Sequence, residues 1–249
     1  MSFEKMVEEL HVKIQGVNRY NPMNVADLTK CVERMVSENV YDKDICLTIL
    51  KLFQLNPDKF NENTVRLVLM KTLMVLPSSD FALAKCLIDS GKGTAGPLKL
   101  VLDLGCVLES CDFSRFWKLM KGNYKPSTDA SECFKYPQEV SRLVATVPAF
   151  EEGVRNFICQ VIGCTFQNID KSLLLRLLGG VTEAQFKEYA AKYEWTADPK
   201  NPEIYFIANH DEKIRSRNID EKLQFADMVD VLKCIPRPVH YGQKEKQLP

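Results

Sequence analysis

The sequence has 249 residues, of which 45% are hydrophobic and 27% are charged, and this composition is that of a soluble globular protein. At about 150 residues per domain, the length predicts one or two domains. Thirty-three lysines and arginines balance thirty-three aspartates and glutamates, so the formal net charge is zero. Because nucleic-acid binders draw much of their affinity from neutralised phosphates, a chain without excess positive charge is a poor candidate for electrostatic binding of nucleic acid.

The nine cysteines include no C-x-x-C pair, so the sequence shows neither a zinc knuckle nor a thioredoxin-like redox site. The closest pairs, Cys106/Cys111 and Cys159/Cys164, lie in apolar helical patterns, where we expect cysteine to pack as a small hydrophobic residue. The odd number of cysteines and the absence of an apolar N-terminal signal argue against secretion. No apolar stretch reaches the roughly 18 residues of a membrane span. We therefore expect a cytoplasmic protein.

The first part of the chain is predicted to be a succession of helices joined by short loops. Val65, Leu69 and Leu73 illustrate the spacing, since they fall on one stripe of a helix over 62–76. The predicted helices cover 24–39, 42–55, 62–76, 80–90, a segment that begins at Pro97, and 113–120. Helices of this length with short connections are typical of antiparallel hairpins stacked side by side. We therefore predict a HEAT-like helical solenoid over residues 1–122, although no sequence motif repeats at a fixed period.

Residues 123–148 differ in composition from the helices before them. Pro126, Pro137 and Pro148 are interspersed with serine, threonine, aspartate and aromatic residues. This composition opposes continuous secondary structure. We predict a Pro-rich linker or insertion with at most a short helix near 138–146, and we place the internal domain boundary there.

The second half has a different order of elements. A helix over 149–166 precedes an extended segment at 167–169, a helix over 171–178 with Asp170 as N-cap, a tight turn at Gly179-Gly180, and a helix that begins with the capping box Thr182–Gln185. Ile204–Ile207 and a segment near 213–216 are predicted strands of a hairpin. This order is typical of a winged helix. We predict a mainly α-helical protein with a winged-helix domain over 149–218, a small β wing, and a C-terminal region over 219–249 with a helix at 219–234 and a flexible tail.

The residue types that commonly act in catalysis or metal binding are scattered in the sequence and form no recognisable site. The three histidines, His11, His210 and His240, fall in separate segments, and none has the spacing of metal ligands. Gly91–Gly96 reads G-x-G-x-x-G, but dinucleotide binding requires a strand before this motif and an acidic residue about 20 positions after it. Here the preceding segment is predicted to be helical, and position 116 is Phe116. We expect a helix–helix loop at this motif, and we predict no enzymatic activity, no cofactor and no metal.

Nucleic-acid recognition is a further possibility for a winged helix. The candidate recognition helix, 182–195, carries three glutamates against two lysines, and residues 148–218 contain nine basic and ten acidic side chains. This charge disfavours DNA reading. Lys213, Arg215 and Arg217 cluster in the predicted wing. Two interpretations stay open for them: a solvated wing, which the local charge favours, and a contact with RNA.

Several short segments of the chain match a known family. They are Asn18-Arg19-Tyr20-Asn21-Pro22, Tyr41-Asp42, Leu50-Lys51-Leu52, Asn56-Pro57, Leu76-Pro77, Asp80-Phe81, Lys85-Cys86, Leu108-Glu109-Ser110-Cys111, Phe116-Trp117, Val154-Arg155-Asn156-Phe157-Ile158-Cys159 and Lys192-Tyr193-Glu194-Trp195. A helical solenoid that runs into a winged helix is also the arrangement of PCI domains. With these segments, the chain resembles the K-subunit family of eukaryotic translation initiation factor three, a family of PCI-domain proteins.

The resemblance implies a non-catalytic scaffold subunit of the initiation factor three complex, which binds the small ribosomal subunit during translation initiation. It implies the other subunits of that complex as partners, chiefly the L subunit, with at most weak direct contact to RNA and no contact with a membrane. The small PCI subunits of the COP9 signalosome and of the proteasome lid are the nearest alternatives. A winged-helix RNA-binding protein is the alternative from another class.

We predict that the C-terminal half carries assembly with other subunits. The candidate partner-binding residues are Ile204, Tyr205, Phe206 and Ile207 in the predicted strand and Leu223, Ala226 and Leu232 in the predicted last helix. A free outer edge of the strand would accept a strand from another subunit, and the apolar stripe of the helix would pack against a partner helix. The competing interpretation is that both elements complete the protein's own core. It is an equal alternative for Tyr205 and Ile207, because alternation along a strand hides one face.

Overall fold

The computed structural model describes residues 2–89, 91, 96–127, 133–211 and 228–229. Contacts divide the chain into two units, residues 1–208 and residues 209–249, and the first unit is mainly helical, as predicted. Its helices are α1 (Phe3–Lys13), α2 (Val25–Ser37), α3 (Lys43–Leu55), α4 (Glu62–Met74), α5 (Asp80–Cys86), α6 (Gly96–Glu109), α7 (Phe113–Met120), α8 (Pro137–Ala145), α9 (Phe150–Thr165), α10 (Lys171–Leu177) and α11 (Glu183–Lys192). Its strands are β1 (Asn168–Asp170), β2 (Thr196–Ala197) and β3 (Ile204–Phe206). Short 3-10 turns at Gly16–Tyr20, Pro22–Asn24 and Pro57–Lys59 complete the first part of this unit.

Side-chain caps begin several helices at the predicted residues. The Asp42 carboxylate accepts a backbone N–H of the first turn of α3 at 2.9 Å, and Asp112 does the same for α7 at 3.0 Å. Before α11, Thr182 and Gln185 form a complete capping box. Each cap satisfies a backbone N–H that the first turn of a helix leaves without an intrahelical partner. These three helix starts confirm the prediction from sequence.

Helix α4 lies at the centre of the first unit, in contact with α2, α5, α6 and α9. The buried face of α4 is wider than a single apolar stripe, since Thr64 and Lys71 are buried together with the apolar residues. A helix with neighbours on several sides hides its polar positions as well, and Lys71 Nζ donates to Asn39 Oδ1 at 3.2 Å. At Gly153 in α9 a Cβ atom would lie 2.9 Å from Met74 Cβ. The absence of a side chain at Gly153 therefore allows α9 to approach α4 closely.

Five apolar residues within 133–147, namely Phe134, Val140, Leu143, Val144 and Val147, belong to the core, which differs from the predicted linker over 123–148. Phe134 is only 1% exposed, and its ring packs edge-to-face on Tyr124 with 6.1 Å between centroids. Helix α8 packs against α7 and buries its apolar residues. Proline did not prevent this packing, because Pro137 occupies the first turn of α8, where a backbone N–H has no intrahelical partner. The short helix predicted within this segment is confirmed as α8.

The last part of the first unit runs helix, strand, helix, helix, strand, strand from α9 to β3. The sheet is antiparallel with the order β1–β3–β2, so that Tyr205 lies opposite Ile169 on one side and Ala197 on the other. The hairpin therefore pairs β3 with the short strand β2, which was not predicted from the sequence. The predicted partner strand near 213–216 lies outside the described residues.

The second unit is described only at residues 209–211 and at Met228 and Val229. Met228 and Val229 adopt helical conformation, and the remainder of the predicted helix over 219–234 and the tail lie outside the described residues. Among the helices that the structure describes, none has the length and apolar character needed to cross a membrane.

The buried carboxylate of Asp80 connects the beginnings of α3 and α5. It accepts a hydrogen bond from Tyr41 Oη at 2.9 Å and pairs with Lys43 Nζ at 2.7 Å. Burial alone would raise the pKa of Asp80, but the bonds from Lys43, Tyr41 and Ser78 favour the charged form and hold this pKa below the ordinary 3.8. The charged carboxylate therefore contributes stability that is fully present above its unfolded-state pKa and is lost as the pH falls through the folded-state pKa.

We predict that Asp80→Asn lowers the free energy of unfolding by about 1–2 kcal/mol at pH 7, because the amide cannot pair with the Lys43 ammonium. The difference from the parent is expected to narrow below about pH 4, because acid protonates Asp80 first in the unfolded parent and, at lower pH, in the folded parent as well. Urea unfolding at pH 7 and pH 3 measures both effects, with the exposed Asp58→Asn as a control. An equal difference at the two pH values would show that the charge of Asp80 does not contribute.

Candidate functional site

The predicted partner-binding strand, Ile204–Ile207, lies at the centre of the sheet. β1 pairs along one side of β3 and β2 along the other, and the Ile207 N–H donates to the Gln167 carbonyl at 2.8 Å just beyond β1. The condition for adding a strand from another subunit, a free edge at β3, is therefore not met in this sheet, because the backbone groups of β3 are paired on both sides. The outer strands of this three-stranded sheet are β1 and β2.

The side chains of β3 divide between the core and the surface. Tyr205 packs edge-to-face on Phe186 of α11, with 5.1 Å between centroids, and Ile207 is only 7% exposed. Tyr205 and Ile207 therefore pack within the protein's own core, which was the competing interpretation of the predicted contact strand. Ile204 is half-buried, whereas Phe206 is 41% exposed. Phe206 is thus the residue of this predicted contact strand that presents a large apolar side chain to solvent.

The other predicted contact residues lie outside the described residues. They are Leu223, Ala226 and Leu232 in the predicted last helix and Lys213, Arg215 and Arg217 in the predicted wing. Met228 and Val229, which belong to the same predicted helix, are 48% and 37% exposed. The described part of this helix therefore presents apolar surface.

Trp117 joins the helical half of the first unit to the half that carries the sheet. Its indole Nε1 donates to the Leu177 carbonyl at 2.7 Å, and the Arg155 guanidinium lies 4.9 Å from the ring centroid. Gly179 lies against the same ring with φ of +85°, and a Cβ atom there would be 2.6 Å from the indole. The tight turn at Gly179-Gly180 is confirmed. Its first glycine is needed both for the left-handed backbone and for the close approach to Trp117.

A basic pocket between the C-terminal ends of α7 and α10 was not predicted. It has a volume of about 310 Å³, and its polar lining consists of Ser114, Lys118, Lys121, Asn123 and Arg176. All five of these residues are exposed. The sequence carries a signal for this pocket, because neither α7 nor α10 contains a carboxylate. The signal becomes visible only once these two helices are known to pack against each other.

The buried thiols remain protonated at neutral pH. Burial raises the pKa of Cys31 to about 11 and that of Cys159 to about 12. Cys159 confirms the expectation of a small buried hydrophobic residue. Cys106, Cys111 and Cys164 are exposed, contrary to that expectation.

The segment Gly91–Gly96 follows helix α5 and not a strand. The helical segment predicted before this motif is thus confirmed, whereas a dinucleotide-binding motif follows a strand. His11 Nε2 lies 2.8 Å from Asp42 Oδ2, so that His11 of α1 contacts the N-cap residue of α3. Within the described ranges, no group of three or more histidine, cysteine, aspartate or glutamate residues is placed to hold a metal ion.

Comparison with known proteins places this architecture in a family. The model of the CSN8/PSMD8/EIF3K family matches residues 59–218. A Caenorhabditis elegans protein named eukaryotic translation initiation factor 3 subunit K is 55% identical over 239 residues, which cover 96% of this chain and 99% of the relative. The chain belongs to the K-subunit family of eukaryotic translation initiation factor 3. K subunits of Brugia malayi and Homo sapiens are 56% identical over 224 residues and 36% identical over 230 residues, covering 90% and 92% of this chain and 94% and 97% of the relatives.

Membership in the K-subunit family confirms the resemblance seen in the short sequence segments. The family match begins in the helical half and continues past the sheet, so it includes the elements on both sides of Trp117. The family model also covers the sibling groups CSN8 and PSMD8. The three relatives described above carry the K-subunit name, which separates this chain from those siblings.

Proposed function

We propose that the protein is a non-catalytic scaffold subunit of eukaryotic translation initiation factor 3 and acts in the cytoplasm. The observation that carries the proposal is the similarity to K subunits over more than 90% of the chain. Its partners are then the other subunits of the factor, chiefly the L subunit. Through this assembly the protein acts on the small ribosomal subunit during translation initiation.

We infer that α1–α8 form a HEAT-like solenoid and that α9–β3 form a winged helix, which together make a PCI-type arrangement. Consecutive helices pack against each other at α1–α2, α2–α3, α4–α5, α6–α7 and α7–α8, as in stacked hairpins. The second part supports a winged helix by its order of elements and by the placement of β3 between β1 and β2. The two parts then meet between α8 and α9, and both lie within the first unit.

The proposed contact with a companion subunit lies in the C-terminal part of the chain. Leu223 and Ala226 are three residues apart, which puts them on one side of a helix, whereas Leu232 lies six residues after Ala226 and about 120° further round the helix. Met228 and Val229 of the same segment support this contact, because they present apolar surface. An apolar helix face of this kind fits a partner helix. Both edges of β3 are paired within the sheet, so the proposed contact does not involve strand addition at β3.

Affinity purification of the tagged full-length protein from its own cells, followed by mass spectrometry, tests the proposed function. We expect to recover the subunits of initiation factor 3, with the L subunit among the most abundant, and to find the protein with small ribosomal subunits on a sucrose gradient. Cells that express the tag alone are the control. Recovery of COP9 signalosome or proteasome-lid subunits in their place would contradict the proposal and support the sibling alternative.

A further inference from the structure

Positive charge is concentrated on two facing segments of a chain whose net charge is zero. Residues 113–127 contain four lysines and arginines and no carboxylate, and residues 171–182 contain two and no carboxylate. These segments include α7 and α10, which pack against each other. They therefore form one basic surface. The net charge of the whole chain averages over this surface and conceals it.

Three cations of this surface converge on the pocket between the helix ends. Lys118, Lys121 and Arg176 line it, and Lys121 Nζ lies 3.3 Å from the point where a Cβ of Gly180 would stand. Among the described residues, none of the three cations has a carboxylate or hydrogen-bond partner for its side chain. Lys171, at the other end of α10, differs because it pairs with a glutamate at 3.0 Å. The unpaired charge is thus confined to the pocket end of these helices.

Stabilisation of helix dipoles accounts for only part of this arrangement. Lys118 and Arg176 lie in the last turns of α7 and α10, where a cation interacts favourably with the negative helix end. That effect acts on each helix separately and requires no shared concave pocket. It also gives no role to Ser114 and Asn123, which complete the polar lining. Lysine, arginine, serine and asparagine are together the side chains that contact phosphate oxygens in nucleic-acid complexes.

We propose that this pocket binds phosphate groups of an RNA backbone. The contact is expected to be independent of base sequence, because the aromatic residue in the pocket lining, Trp117, is only 5% exposed and its Nε1 is bonded to Leu177. A buried ring offers no platform on which a base stacks. The inference goes beyond the proposed scaffold function, since it assigns an RNA contact to this chain itself. It also places that contact on Lys118, Lys121 and Arg176.

The test measures binding of the full-length protein to a fluorescein-labelled single-stranded RNA of 20 nucleotides and mixed sequence. Fluorescence anisotropy at 50, 100 and 200 mM KCl gives the salt dependence of the affinity. For the triple variant Lys118→Gln, Lys121→Gln and Arg176→Gln, we expect about tenfold weaker binding at 50 mM salt. The slope of log affinity against log salt is expected to fall by about 2, because each phosphate that a cation neutralises on a single strand accounts for about 0.7 of this slope.

A second triple variant separates the pocket from the net charge. Lys5→Gln, Lys30→Gln and Lys200→Gln remove the same number of positive charges from exposed positions elsewhere on the chain. This control is expected to keep the affinity of the parent within about twofold and to keep its salt slope. Circular dichroism melting curves establish that both variants are folded. Should the pocket triple variant fail to fold, the single variants Lys121→Gln and Arg176→Gln are expected to lower the slope by about 0.7 each.

Three results would overturn the proposal. The first is an unchanged RNA affinity of the folded pocket variants, and the second is an equal weakening of binding in the control triple variant, which would make net charge the cause. The third is displacement of the RNA by polyglutamate at an equal concentration of charge, which would indicate a site for acidic protein segments. Equal affinity for poly(U) and poly(A) is the further result expected of a contact with phosphates alone.

Discussion

Replacing Gly105 by alanine is expected to lower the free energy of unfolding by about 3 kcal/mol, although alanine is the better helix former. Gly105 lies inside α6 against the ring of Phe81, and a Cβ atom at this position would overlap the outer atoms of that ring. The ring has little freedom to move, because it is fully buried and carries Lys85 Nζ 4.7 Å from its centroid. The added methyl group must therefore displace the ring or the helix backbone.

The matched control is the same substitution at Gly163 in α9. A Cβ atom there would have no other atom within 4 Å. Gly163→Ala is therefore expected to raise the free energy of unfolding by up to about 1 kcal/mol through helix propensity. Urea denaturation of both variants measures the two changes. If the free energy of unfolding falls for Gly105→Ala and rises for Gly163→Ala, the difference is due to the close contact at Gly105, because the chemical change is the same.

A second variant tests whether Phe81 is the cause. Phe81→Leu removes the outer ring atoms that a Cβ on residue 105 would overlap. In this background Gly105→Ala is expected to cost less than about 1 kcal/mol, which corresponds to a coupling energy of about 2 kcal/mol between the two positions. If the two single effects simply add in the double variant, the overlap with Phe81 is not the source of the destabilisation.

Truncation before residue 219 is expected to abolish association with the companion L subunit and to leave the first unit folded. The reason is that contacts divide the chain into residues 1–208 and residues 209–249. The proposed contact helix falls in the second unit, whereas the cores of the helical half and of the sheet fall in the first. Co-purification of the truncated chain with the L subunit measures association, and circular dichroism measures folding.

Point variants keep this test independent of the truncation. Met228→Glu combined with Val229→Glu places charge on described, exposed positions of the same segment and is expected to weaken co-purification at least tenfold. Val12→Glu, at an exposed apolar position in α1, is the control and is expected to leave association unchanged. Retained association of the truncated chain would contradict the proposal. An insoluble truncated chain would also contradict it, because residues 219–249 would then be part of the protein's own core.

Local sequence determined most of the helix boundaries. Asp42, Asp112 and Thr182 begin helices because each side chain reaches a backbone N–H only three residues away, and such contacts depend on no other part of the chain. The turn at Gly179-Gly180 follows from the left-handed backbone that glycine tolerates. The family resemblance was also readable from sequence, because it depends on residue identity and not on contacts.

Tertiary contacts decided what composition could not show. The prolines of 123–148 predicted a linker, yet Phe134 and the apolar face of α8 are buried, and α7 supplies a surface for α8. The strand Ile204–Ile207 was recognisable from its β-branched and aromatic residues, but its central position depends on pairing with β1 and β2. A strand pattern specifies one strand's faces and says nothing about which neighbours occupy its edges.

By itself, the sequence determined the mainly helical character, the caps and turns and the family of this protein, because each depends on neighbouring residues or on residue identity. Only the tertiary structure decided that Gly105 must accommodate Phe81 and that Lys118, Lys121 and Arg176 share one pocket. The residues concerned are far apart in the chain, and their proximity results from the packing of helices on one another. Packing of this kind is set by the shape of the whole core, which no short window of sequence contains.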